Sequence, residues 1–280
     1  GMTDSPEAHG TPLTEEALLA RFCPSLAVQL RTALSNLYLA VDTLIPADAR
    51  DFDPGLDRNL AVLDLNYYRL LRLAGNLSAA AGLGTPLPPP GEDRDIVAEA
   101  ELVCREADSL ARLLGLSLRF RCRKASHFCA LRPGAVRQIL MQLLSNAFKF
   151  TPAGGEVTVE LRTEPGWVRL TVSDNGPGIP PEEMDALFDR YLHPEKRSLP
   201  PHGLGLGLPI CRHLAEEHGG RILVESRVGR GTRVTALLPD RQTGTLALSD
   251  RAADYGGGFN PTLLGLADAL PAEAFLGKNQ

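Results

Sequence analysis

From Thr14 to about Leu44 the apolar positions follow a helical spacing, with Leu30, Leu34, Leu37, Val41 and Leu44 recurring at intervals of 4, 3, 4 and 3. That rhythm draws one continuous apolar seam along a helix. Pro24 and Ser25 are expected to bend or restart it near its beginning, because proline removes a backbone donor. Ile45-Pro46 through Asp53-Pro54-Gly55 reads as a connection. Leu63, Tyr67, Leu70, Ala74 and Leu77 then repeat the same spacing. Two such helices joined by a short loop predict an antiparallel hairpin. A hairpin of two helices encloses no core, so its seams must be covered either by a second copy, giving a four-helix bundle in a homodimer, or by the rest of the chain. The dimer is the expectation carried forward.

Gly82 to Gly91 (GLGTPLPPPG) is rich in Pro and Gly and marks a boundary. It divides a hairpin at 14–84 from a second domain beginning near 93, with 85–92 as linker. Helical patterns follow at Ile96–Leu114, stopped by Gly115, and at Pro133–Phe150, with Pro near the first turn. A third runs from Pro209 to His218 and ends at Gly219-Gly220. Leu116–Cys122 alternates as a strand. Val157–Arg162 and Trp167–Ser173 flank the turn Glu164-Pro165-Gly166, and Ile222–Ser226 and Thr232–Leu238 form a last hairpin. Helices alternating with hairpin-paired strands predict an α+β sandwich, one helical layer on one sheet.

The ends carry less pattern. Residues 1–13 read as disordered, and Gly1 ahead of Met2 reads as a scar of tag removal. Ser249–Asn260, with Gly256-Gly257-Gly258, is expected to be flexible. Pro261–Leu276, within an extension at 241–280, is apolar enough to dock as a short helix or to bind a partner. The 280 residues carry a net charge of −5, which argues against nucleic acid as the main partner. No apolar run is long enough to span a bilayer, and the N-terminus has neither a basic nor an apolar signal region. Five scattered cysteines without C-x-x-C spacing disfavour a disulfide framework or a zinc site. These features predict a cytoplasmic protein without membrane insertion.

Four clusters in the second domain carry candidate chemistry. Gln142, Asn146 and Lys149 stand at i, i+4 and i+7, one polar stripe opposite Ile139, Leu140, Leu143 and Ala147. An amide and an ammonium on one helix face suit Mg²⁺ and a phosphate respectively, although a solvated helix face has the same pattern. Asp174-Asn175-Gly176-Pro177-Gly178-Ile179-Pro180 follows a strand. Gly176 and Gly178 let backbone approach a ligand, and a strand-end Asp can accept from an exocyclic amine. Leu187-Phe188-Asp189-Arg190-Tyr191 follows a short helix starting near Pro181. His202-Gly203-Leu204-Gly205-Leu206-Gly207-Leu208 opens a helix, where backbone N–H groups favour anions. Each cluster alone is weak.

Together, in this order, they resemble the ATP-binding domain of sensor histidine kinases, the wider family with gyrase, Hsp90 and MutL. QILMQLLSNAFKFTPAGG resembles its N box, DNGPGIP its first glycine box, LFDRYL its F box and HGLGLGL its second glycine box. HGGRILVESRVGRGTRVTALLP resembles the closing strands, so the likeness covers about 93–240. The resemblance implies that Asp174 reads the adenine amino group, with Phe150 and Ile179 near the base. It implies that Asn146 holds Mg²⁺, that Lys149 meets phosphate, and that Gly203, Leu204, Gly205, Leu206 and Gly207 wrap the phosphates. Residues 189–202 would be a lid carrying His193, Lys196, Arg197 and His202. ATP and Mg are thus the implied cofactors.

Two positions depart from the family pattern. Gln142 stands where histidine kinases usually have Asn and gyrase-like ATPases a Glu; an amide has no basic site to activate water. Leu26 to Leu34 (LAVQLRTAL) resembles the H box, usually S-H-E-L-R-T-P-L, but Val28 replaces the phosphoacceptor His and Gln29 the adjacent acid. Val28 has no nucleophilic atom, and none of the six histidines lies in either hairpin helix. The resulting expectation is a nucleotide-gated pseudokinase, with no conventional autophosphorylation and no confident catalytic residue. Its partners would be a response regulator, another kinase or a transcription factor. The alternatives are a kinase acting in trans on a partner's His or Ser/Thr, and a binding module with a vestigial ATP site.

Overall fold

The computed structural model describes residues 15–46, 48–188, 205–247 and 259–279. Helix α1 (Glu15–Leu44) and helix α3 (Pro54–Ala81) lie against each other as the hairpin, with one short turn of helix, α2 (Ala49–Phe52), between them. Asp53 starts α3 by accepting from the N–H groups of Gly55 (2.8 Å) and Leu56 (3.1 Å), and Pro54 occupies the first turn, where its missing N–H costs nothing. No break occurs at Pro24. A single helix runs through it rather than restarting there, with Cys23 and Ala27 buried close by.

The hairpin's apolar residues divide between two faces. Ala27 and Leu34 of α1, and Leu60, Ala61, Leu65, Tyr67 and Ala74 of α3, are buried within the protomer. Phe22, Leu26, Leu37, Leu39 and Leu44 of α1, and Val62, Leu63 and Leu70 of α3, remain exposed. The seam read from spacing is therefore split, since Leu34 points inward while Leu37 and Leu44 point out. The other side of α3 packs against the rest of the chain, which covers part of the hairpin.

Beyond the linker, strand β1 (Glu92–Asp95) leads into α4 (Ile96–Leu113), capped by Asp95, whose carboxylate accepts from Val97 N at 3.1 Å. Strands β2 (Ser117–Cys122), β3 (Phe128–Leu131), β4 (Glu156–Glu164) and β5 (Trp167–Asp174) follow, with α5 (Ala135–Phe150) before β4. After β5 come α6 (Pro181–Met184), α7 (Gly207–Glu217), β6 (Arg221–Arg227) and β7 (Gly231–Pro239). The main sheet has the order β2-β4-β5-β7-β6; β2 and β4 are parallel and the other pairs antiparallel. Val157, Val159 and Leu161 alternate inward from β4 against Ile139, Leu140, Leu143 and Leu144 of α5. Gly219 ends α7 at φ +83°, the left-handed turn that glycine adopts without strain.

A second sheet pairs β1 with β3. It was not anticipated, because Glu-Asp-Arg-Asp has no strand pattern. Its buried Asp93 is satisfied by distant partners, the N–H groups of Thr243 (2.7 Å) and Gly244 (2.8 Å). The linker is also tied down, since Glu217 accepts from Leu87 N at 2.6 Å.

The C-terminal segment docks on its own chain. Helix α8 (Pro261–Leu266) continues into 3-10 turns at Ala267–Ala269, Ala272–Phe275 and Gly277–Asn279. It wedges between α3 and α5, with Leu266, Ala267, Ala274 and Phe275 fully buried. Asn260 caps α8 by accepting from Thr262 N at 3.0 Å. Residues 1–13 and most of the stretch expected to be flexible, Ser249–Asn260, lie outside the described residues.

Candidate functional site

Helix α5 organises the site. Its C-terminal turn meets the turn after β5: a Cβ on Gly176 would stand 2.9 Å from the Phe150 carbonyl oxygen, so only glycine fits there. One to two turns back, about 6–12 Å along the axis at ~1.5 Å per residue, it meets the start of α7. A Cβ on Gly207 would lie 3.1 Å from Gln142 Oε1 and 3.8 Å from Asn146 Nδ2. The two glycine turns, distant in sequence, are thus brought onto the C-terminal half of one helix.

Asp174 ends β5 half-buried. Among the described residues both of its hydrogen bonds go to Oδ1, from Gly176 N at 2.9 Å and Thr232 N at 3.3 Å, which leaves Oδ2 for a donor from outside. Burial raises its pKa, and the two amide donors work against that rise. Ile179 N donates to Ser226 Oγ at 2.8 Å, and Gly178 takes φ +74° with no room for a side chain beside Arg227. Phe150 is exposed beside this turn. Gly205 has φ +75° and Leu206 is buried. Gly203, Leu204, Asp189–Tyr191 and the expected lid residues His193, Lys196, Arg197 and His202 lie outside the described residues. Leu187 is buried, and Phe188 stacks under Arg212, 4.8 Å from guanidinium carbon to ring centre.

The stripe of Gln142, Asn146 and Lys149 is not a solvated face. Gln142 is buried: its Oε1 accepts from Arg72 at 2.8 Å, and its Nε2 donates to Asn76 Oδ1 at 2.8 Å. Both partners come from α3, so the residue that departs from the family pattern fastens the sheet domain to the hairpin. Arg72 also donates to the Gly265 carbonyl and, through Nε, to Asp268 at 2.9 Å. Lys149 Nζ lies 3.8 Å from the same Asp268 carboxylate. Burial lowers the Lys149 pKa to about 8; Asp268 opposes the change, while Arg72 and Arg69 reinforce it. Arg72 is driven down by burial too, with Asp268 again the main compensation.

Arg72, Asn76 and Asp268 were not singled out in the sequence. The one clue was Gln142 itself, an amide longer by a methylene than the usual Asn and able to reach across to α3. On the hairpin, Val28 is 63% exposed, and Thr32 Oγ1 donates to its carbonyl at 3.0 Å.

Residues 132–242 match the family described as histidine kinase-, DNA gyrase B-, and HSP90-like ATPase. The adaptive-response sensory kinase SasA of a Synechococcus strain is 30% identical over 224 residues, which are 78% of this chain and 59% of SasA. The histidine protein kinase DivJ of Caulobacter vibrioides is 43% identical over 105 residues, covering 38% of this chain and 18% of DivJ. The chain therefore spans only part of the curated relatives it matches. Among solved structures, full-length ShkA in complex with AMPPNP has a TM-score of 0.62 at 24% identity, over 82% of this chain and 47% of ShkA. The histidine kinase AdeS of Acinetobacter baumannii gives 0.52 at 20% identity, over 75% of this chain and 95% of that one.

Fold and site together define a class: an ATPase domain of the histidine kinase, gyrase and Hsp90 type carried behind a helical hairpin. Within that class, the chain is similar in sequence to histidine kinases, over the part of them that carries the ATPase domain and the region ahead of it. No helix among the described residues is long and apolar enough to cross a membrane.

Proposed function

We propose that this chain binds ATP with Mg²⁺ between α5, the turn after β5 and the start of α7, and acts as a nucleotide-responsive signalling core that lacks its own phosphoacceptor. The observation that carries this reading is the placement of both glycine turns against the C-terminal half of α5, at Phe150 and at Gln142 and Asn146. Asp174 stands at the first with an oxygen left for an amine, Asn146 stands at the second, and Lys149 lies on the same helix.

Asn146 supplies a neutral oxygen suited to a hard cation. No cluster of three His, Cys, Asp or Glu side chains among the described residues can hold a metal alone. Mg²⁺ would sit between Asn146 and phosphate oxygens, its common mode of binding, and would neutralise phosphate charge there. Lys149 would add a point charge, and the α7 N-terminus its backbone N–H groups. Gln142 is engaged at both amide atoms and offers no base for water attack.

Val28 at the expected phosphoacceptor position, and the lack of any histidine in α1 or α3, support a core that does not label itself. The exposed apolar face of α1 and α3 supports a homodimer closing as a four-helix bundle, with a response regulator, partner kinase or transcription factor as recipient. Retention of Asn146, Lys149 and Asp174 favours transfer to a partner in trans as the second reading.

The test is incubation of the purified chain with γ-labelled ATP and Mg²⁺, with binding measured in the same preparation. Binding without covalent label is expected. Label surviving denaturation would overturn the pseudokinase reading, and no nucleotide binding at millimolar ATP, either in this chain or in its Asp268→Asn variant, would overturn the site.

A further inference from the structure

Asp268 holds an anion's place beside Lys149. Its carboxylate is 2.9 Å from Arg72 Nε and 3.8 Å from Lys149 Nζ, so one carboxylate bridges a cation of the hairpin and a cation of the nucleotide domain. The segment that delivers it is firmly seated. Arg69 donates to the carbonyls of Ala267 (3.2 Å) and Leu270 (3.1 Å), and Arg50 donates to that of Phe275 (3.0 Å). Asp57 accepts from Gly277 N at 3.0 Å, and Tyr68 Oη from Asn260 N at 3.2 Å. All five of these contacts reach into α2 or α3. On the other side, Gly265 presses on α5, where a Cβ would fall 2.7 Å from Met141 Sδ.

We infer that residues 259–279 form a built-in clasp that locks the nucleotide domain onto the hairpin, with Asp268 occupying the phosphate-facing position of Lys149, so that ATP and the docked clasp compete. The inference rests on the reading of Lys149 as a phosphate contact. An incoming phosphate must take the Lys149 ammonium while Asp268, still held by Arg72, repels it. Relief comes when the segment leaves α5, which also frees Arg72 from Gly265 and Asp268. Linkage then runs both ways: weakening the clasp strengthens nucleotide binding by the factor with which nucleotide weakens the clasp. Nucleotide would thereby release the domain from the hairpin.

The experiment measures ATP–Mg²⁺ affinity by calorimetry for the full chain, Asp268→Asn, Gly265→Leu and Asp174→Ala. It also follows hydrogen exchange of amides 262–276 in the unmodified chain with and without ATP. Asp268→Asn removes the competing charge. Gly265→Leu lifts the segment off Met141 with Asp268 and Arg72 intact. Both are expected to bind ATP at least about fivefold more tightly, and ATP is expected to speed exchange in 262–276. If either variant fails to fold by circular dichroism, the exchange experiment decides alone. Unchanged affinity in both variants, or unchanged exchange in a chain saturated with ATP, overturns the clasp. Loss of binding in Asp174→Ala alongside that result leaves the nucleotide site standing. Absence of binding in the parent and in both clasp variants overturns the clasp and the nucleotide reading together.

Discussion

Replacing Phe275 with Ala measures how far the C-terminal segment belongs to the core. Its ring is fully buried, with its centre 5.1 Å from that of Tyr68 on α3, and its carbonyl accepts from Arg50. Truncation of a buried Phe costs about 3–5 kcal/mol, lost transfer and residual cavity combined. At about 1.4 kcal/mol per decade, the open population of the segment should rise by roughly two to four orders of magnitude. Where that loss registers depends on how the segment opens. If it leaves as a unit, native-state hydrogen exchange at 263–276 reports the full loss, while the global urea midpoint moves only by what docking contributed. If it opens only with the whole fold, both report the same loss. The assay is exchange across these amides beside urea unfolding of the same protein. A change below about 0.5 kcal/mol in both, the size of an ordinary surface substitution, would refute the placement of this ring and of the segment that carries it.

Asp174→Ala should abolish ATP binding in calorimetry while leaving far-ultraviolet circular dichroism unchanged; retained affinity would show that this carboxylate does not read the base. Lys149 gives a pH dependence with a definite sign. Its pKa is about 8 in the fold against an ordinary 10.5, so the folded chain binds fewer protons between those values, and stability through this group rises with pH across that window. ATP affinity should do the reverse, flat below about pH 8 and falling above it by up to about tenfold per unit, and Lys149→Met should remove the slope. Gly178→Ala should destabilise the domain by about 1–2 kcal/mol from the left-handed backbone alone. The clash of the new Cβ with the Arg227 carbonyl adds to this, and an unchanged melting temperature would contradict the turn geometry. Leu37→Glu, on the exposed face of α1, should convert a dimer to a monomer in light scattering without loss of helix; an unaffected assembly would place the interface elsewhere.

The amino-acid sequence determined the parts whose logic is local. Apolar segments paired across turn residues wrote β4, β5, β6 and β7, alternation wrote β2, and helical patterning wrote α1, α3, α4 and α5. The glycine turns around Asp174 and ahead of Leu208 were legible because a fixed backbone shape needs a fixed residue. The order of four short motifs was enough to indicate a nucleotide-binding domain behind a hairpin. Tertiary structure alone decided what joins them. The β1–β3 ribbon depends on Asp93 meeting Thr243, 150 residues away. Which of Leu34, Leu37 and Leu44 faces inward depends on the rotation of α1 against α3, which a seam of uniform spacing leaves open. Arg72 meets Asp268 across 196 residues and Gln142 across 70, and such a contact leaves no period in the chain. A buried cation must find its anion wherever the fold brings one, and here it does so beside Lys149.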